Sequence, residues 1–127
     1  MVVVSRRIHI AAPVERVFAL MADPLVRAAL NPFVTPLRVE TEDSRPLHVG
    51  SICHFRLQIG NRIVDYRTRV CEFELNRGIT SVSDSAVPFE IRLETQPEAG
   101  GTRLTQTESF EPNAAMLSEV VESERGR

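Results

Sequence analysis

The stretch VVVSRRIHIAAPVERVFALMADP, residues 2–24, decides the architecture, because it changes period once and stops sharply. Residues Val2 to Ala11 are rich in β-branched side chains, and Val4, Ile8 and Ile10 share one parity, which predicts a strand with Arg6 as its discordant member. Pro13 then falls where a first helical residue is expected. Val14, Val17, Phe18 and Met21 follow at i, i+3, i+4 and i+7, the apolar stripe of a short amphipathic helix. Asp23-Pro24 ends that helix, since the residue before proline is pushed out of the α region. A second short helix is expected over Leu25 to Leu30, closed by Asn31-Pro32.

Working outward, nearly everything up to Phe110 reads as strand. Leu37 to Thr41 is a weak strand. From Ser51 to Ile59 the chain alternates, with Cys53, Phe55, Leu57 and Ile59 on one face and His54, Arg56 and Gln58 on the other. Gly60-Asn61 suits a two-residue type II′ hairpin with Arg62 to Glu74 as the return strand. Gly78 to Asp84, then a strand alternating Phe89, Ile91 and Leu93 with Glu90, Arg92 and Glu94, lead to the Gly100-Gly101 turn and a last strand from Thr102 to Phe110. After Pro112, Met116, Leu117, Val120 and Val121 line one side of a predicted terminal helix, with Asn113 as its N-cap. The expectation is one α+β domain over residues 1–127. A curved antiparallel sheet of about seven strands carries two short helices between strands one and two, and a terminal helix covers its concave face.

Composition narrows the function classes. Hydrophobic residues make up 43% of 127, enough for one core, and no window approaches the roughly 18 apolar residues of a spanning helix. Fifteen basic and 17 acidic residues are interleaved for a net charge of −2, which gives no footprint for nucleic acid or an anionic membrane surface. The N-terminus lacks an apolar run long enough for a secretory signal and reads as cytoplasmic sequence. Cys53 and Cys71 lie in strands and are expected to be small core residues. His9, His48 and His54 are scattered. His54 and its neighbour Cys53 point to opposite faces, so no metal site is expected. There is no phosphate-cradling glycine loop and no nucleophile elbow, so no cofactor is called for.

The run Ile10-Ala11-Ala12-Pro13-Val14-Glu15-Arg16-Val17-Phe18 resembles the opening signature of the Bet v 1-like, START-related superfamily. So do Val49-Gly50-Ser51 and Gly100-Gly101-Thr102-Arg103-Leu104-Thr105. Thr105-Gln106 with Phe110-Glu111-Pro112, Arg69-Val70 and Pro88-Phe89 are similar to segments of its polyketide cyclase/dehydrase group, including the tetracenomycin-type aromatase/cyclases. The resemblance implies the helix-grip fold, with a cavity between sheet and terminal helix. Two departures stand out. The chain has no tryptophan, Asn31 preceding Pro32 where the enzymes carry one, and Thr35-Pro36 replaces a pocket tyrosine. A terminal helix from Asn113 to Arg125 spans about 18–20 Å at ~1.5 Å per residue, short for the family. That implies a more open pocket or a homodimer whose second subunit helps to cover it.

The last strand carries the clearest candidates. Gln106 and Glu108 share the inward parity of Leu104 and Phe110, and an unsatisfied buried polar group costs about 1–3 kcal/mol. Lining a wet pocket satisfies both, although a rim position or a bulge would also serve Glu108. On the fourth strand, the hairpin pairs Phe55 with Tyr66, Leu57 with Val64 and Cys53 with Thr68, so Tyr66 and Thr68 point inward and Arg69 outward. The resemblance implies the opposite for Arg69, whose counterpart polarises substrate carbonyls. A β-bulge near residues 67–68 would reconcile the two, because Phe73 also needs burial and has the wrong parity.

On that expectation Arg69, Glu108 and Tyr66 are the catalytic candidates. Arg69 would stabilise the enolate of an aldol-type cyclisation, Glu108 would pair with it or act as base, and Tyr66 would donate. Gln106 and Thr68 with Phe33, Phe55, Leu57, Phe89, Ile91 and Leu104 would hold the ligand; Phe18 is a further candidate for the apolar lining. The competing readings are a cyclase/dehydratase of an apolar or aromatic substrate, a non-catalytic carrier of a lipid or aromatic metabolite, and, third, a groove for a partner chain.

Overall fold

A computed structural model describes residues 1–30, 32, 34–84 and 88–111. The terminal helix expected from Asn113, and Phe33 as a ligand contact, lie outside the described residues. The order of elements is β1 (Val2–Ile10), α1 (Val14–Met21), α2 (Pro24–Ala29), β2 (Val34–Thr41), β3 (Ile52–Ile59), β4 (Arg62–Glu74), β5 (Gly78–Ser83), β6 (Phe89–Glu98) and β7 (Gly101–Phe110). All seven strands form one antiparallel sheet in the order β1-β7-β6-β5-β4-β3-β2. The sheet curls as a half-barrel, the helix-grip arrangement. No described helix is long and apolar enough to cross a membrane.

Pro13 corrects the expected helix start by one position. It is the N-cap, extended at φ −63° and ψ 152°, and its carbonyl accepts from the amides of Arg16 and Val17. Asp23-Pro24 does two jobs. It ends α1, and it starts α2, with Asp23 accepting from the Leu25 amide at 3.0 Å and Pro24 at the first helical position.

The two short helices pack against one end of the concave face. Val17 and Met21 of α1 meet Leu93 and Leu104. On its other flank Phe18 packs with Val70 and Ile79, and its ring meets Phe73 edge-on at 5.6 Å. Ala28 of α2 rests on Cys53, Phe55 and Leu57. Burying each large apolar side chain contributes about 1.5–3 kcal/mol, which holds helices too short to be stable alone.

The start of β7 locks this end. Thr102 is fully buried, and its hydroxyl donates to the Ala12 carbonyl at 2.8 Å, tying the last strand to the turn that launches α1. Thr102→Val keeps the shape and strands that carbonyl. It is expected to lower the unfolding free energy by about 1–2 kcal/mol in urea titrations; no change would mean that water replaces the hydroxyl.

Two bulges shape the sheet. In β2 the register shifts between Pro36 and Arg38, which explains why that strand's alternation is weak. In β4 it shifts against β5 between Val70 and Glu72, placing the extra residue at Cys71. The β3–β4 hairpin has the predicted pairs, Phe55 with Tyr66, Leu57 with Val64 and Cys53 with Thr68. Gly60 is at φ 61° and Asn61 is not in the left-handed region, as a type II′ turn requires.

Candidate functional site

The concave face bears a half-open hollow of about 990 Å³. Its floor comes from strands whose alternation turns one set of side chains inward: Phe55 and Leu57 of β3, Tyr66 and Thr68 of β4, Ser81 of β5, Ile91 and Leu93 of β6, and Leu104, Gln106 and Glu108 of β7. Val4, Arg6, Ile8 and Ile10 of β1 continue the wall. Arg6, discordant on sequence, sits opposite Gln106 on the neighbouring strand. Met21, Arg27, Ala28 and Leu30 reach in from the helical end. The lining is chiefly apolar with a few polar side chains set in it, the usual make-up of a small-molecule site.

Most sequence-derived candidates meet here. Gln106 donates from Nε2 to Oε1 of Glu108 at 2.8 Å, two positions along the same face of β7. Tyr66 stacks on Phe55 with ring centroids 4.9 Å apart and planes 13° from parallel. Burial pushes the Tyr66 phenol above its ordinary value; Arg27 opposes that shift and Glu108 adds to it, so both charges are felt at the hydroxyl. The phenol is therefore a neutral hydrogen-bond donor at pH 7.

Three candidates are placed elsewhere. Arg69 is on the convex face and exposed. The β3–β4 ladder runs unbroken from Arg62 to Arg69, so no bulge occurs at 67–68; the one that brings Phe73 to the core comes at Cys71, after Arg69 has already pointed out. Arg69 shares that side with Arg67 and Asp84. The Arg67 guanidinium hydrogen-bonds Asp84 at 3.3 Å and holds its carboxyl below the usual range, with Arg69 adding a smaller pull. Phe89 does not line the hollow; its ring meets Tyr66 edge-on at 5.6 Å. Phe18 belongs to the solid core beneath α1.

Sequence reasoning missed Arg27 and Ser81. The Arg27 guanidinium comes from the middle of α2, where the default for a charge is solvent. Here the side chain is half-buried, its Nε is sealed from water, and that Nε has no hydrogen-bond partner among the described residues. Burial lowers its pKa, while Cys53, Tyr66 and Asp23 act in the opposite direction. Arginine nonetheless stays charged in proteins. Ser81 Oγ is the other buried side-chain polar atom without a partner among the described residues. The one sequence signal for Arg27 is that it is the lone charge among Leu25, Val26, Ala28, Ala29 and Leu30. Cys53 is buried and unpaired, and burial raises its thiol pKa, which makes it an inert core residue.

A family model described as polyketide cyclase / dehydrase and lipid transport matches residues 1–126. No curated protein matches the chain. Among solved structures, protein CV1439 from Chromobacterium violaceum is similar, with TM-score 0.72 and 20% identity over 88% of this chain and 81% of that one. An AHSA1-like protein from Aeromonas hydrophila gives TM-score 0.66 and 18% identity over 97% and 85%. Ara h 8.0201 gives TM-score 0.67 at only 8% identity over 98% and 90%. At such identities the likeness is one of fold.

Proposed function

Because the chain belongs to the polyketide cyclase / dehydrase and lipid transport family, we propose that it holds an apolar or aromatic small molecule in the hollow of its half-barrel, as a carrier or sensor that does not transform it. The supporting observation is the lining itself: Phe55, Leu57, Ile91, Leu93 and Leu104 offer apolar contact, and Tyr66, Thr68, Gln106 and Glu108 offer a few directed hydrogen bonds. The placement of Arg69 on the convex face takes away the side chain that would have polarised a substrate carbonyl.

A second reading, aldol-type cyclisation with loss of water, is supported by Glu108 and Tyr66 both lining the hollow. In that reading Glu108 removes a proton beside a carbonyl and Tyr66 donates to the resulting enolate oxygen. Native mass spectrometry of the purified chain, followed by incubation with a poly-β-ketone thioester mimic, separates the two. Retention of a small-molecule mass with the mimic unchanged supports the carrier; a product lighter by one water supports the cyclase.

The site's location is tested by substitution. Ile91→Trp projects an indole ring into the hollow against its apolar wall and is expected to weaken binding of 2-naphthamide by about tenfold or more, read by calorimetry. Arg69→Ala should leave that affinity unchanged within about twofold. The reverse pattern would move the site to the convex face.

A further inference from the structure

The described walls of the hollow carry charges that do not balance. Among its described lining residues, Arg6 and Arg27 are cations and Glu108 is the one carboxylate. Glu108 is already engaged by Gln106, and Arg27 makes no ion pair among the described residues. A desolvated guanidinium with an idle N–H is expensive for a protein to keep, and this one stands at the helical end of an otherwise apolar space. On the sheet side, the Ser81 hydroxyl also has no partner among the described residues. Both defects disappear if the missing partner arrives with the guest.

We propose that the hollow is built for an organic anion: an apolar or aromatic acid whose carboxylate seats on the Arg27 guanidinium while its carbon skeleton lies along Phe55, Leu57 and Ile91. This rests on the binding reading above and specifies its ligand class. A carboxylate matches the guanidinium fork with two parallel hydrogen bonds, and a monoanion brings the lining charge from +1 to zero. Tyr66, a neutral donor beside Arg27, offers a further hydrogen bond to an oxygen of the same guest.

The test compares two acids with their neutral analogues, 2-naphthoate against 2-naphthamide and decanoate against 1-decanol, by isothermal titration calorimetry at neutral pH. The native chain should bind each acid about tenfold or more tightly than its neutral counterpart, the scale of a hydrogen bond to a charged group. Arg27→Gln should bring the two within about twofold of each other, and Arg27→Lys, a point charge without the fork, should keep part of the preference. Arg27→Met adds a readout independent of affinity. Removing a charge that no described residue pairs should leave the apo Tm at or above that of the native chain, and 2-naphthoate should raise the native Tm more than the variant's.

Equal affinity for acids and neutral analogues in the native chain overturns the proposal and leaves the binding reading standing. So does a preference that survives Arg27→Gln, or one lost on Arg6→Gln instead. Binding of none of the four probes overturns both.

Discussion

Gly101→Ala is expected to lower the unfolding free energy by roughly 3 kcal/mol or more, combining overpacking with an unfavourable backbone conformation. A Cβ at this position would run into the Ile10 carbonyl oxygen and come within 3.0 Å of the Ala11 Cα. Both obstacles are backbone, so no side chain can swing aside. The strand start would have to withdraw from the turn into α1, and the adjacent Thr102 hydroxyl would lose its hold on Ala12. Gly100 provides the comparison within the same turn. It has positive φ, yet a Cβ there would meet nothing within 4 Å, so Gly100→Ala should cost only about 1–2 kcal/mol. Urea titrations of the two variants check this, and equal midpoints would show that the contact with Ile10 is easily relieved.

Phe18→Ala is the second large effect, an expected loss of about 3–5 kcal/mol. Phe18 is buried among Val70, Ile79 and Phe73, where α1 meets β4 and β5, and truncation opens a void that two rigid strands cannot close. The molecules that remain folded should still bind 2-naphthamide, because Phe18 is absent from the wall of the hollow. Denaturation followed alongside calorimetry checks both halves. A loss below about 1 kcal/mol would mean that α1 settles into the gap.

These effects converge on the opening residues, and they show which parts of the molecule are legible in its sequence. The strand-to-helix switch over residues 2–24 is legible because apolar spacing, a proline at the helix entrance and Asp23-Pro24 all agree. The β3–β4 register is legible because one glycine in a two-residue turn sets every pair along the ladder. The facing of Arg69 is not. Tyr66 and Phe73 both need burial at opposite parity, which demands one extra residue somewhere between them, but nothing in the side chains says where. The bulge lies at Cys71, and that location decides which wall Arg69 joins. Arg27 is hidden for a different reason. In six residues of helix with apolar side chains all round, periodicity cannot say which face is inward, and the prior for arginine points to solvent.

The extra residue at Cys71 lets one continuous strand serve two compartments, by bringing Phe73 to the same face as Thr68 and Val70. Up to Thr68 its inward positions line the hollow; from Val70 to Phe73 they brace the helix. Tyr66 and Thr68 thus shape the wall of the hollow, while Val70 and Phe73 hold α1 in place. Such a partition separates the side chains that set the shape of the hollow from those that anchor the helical end of the scaffold.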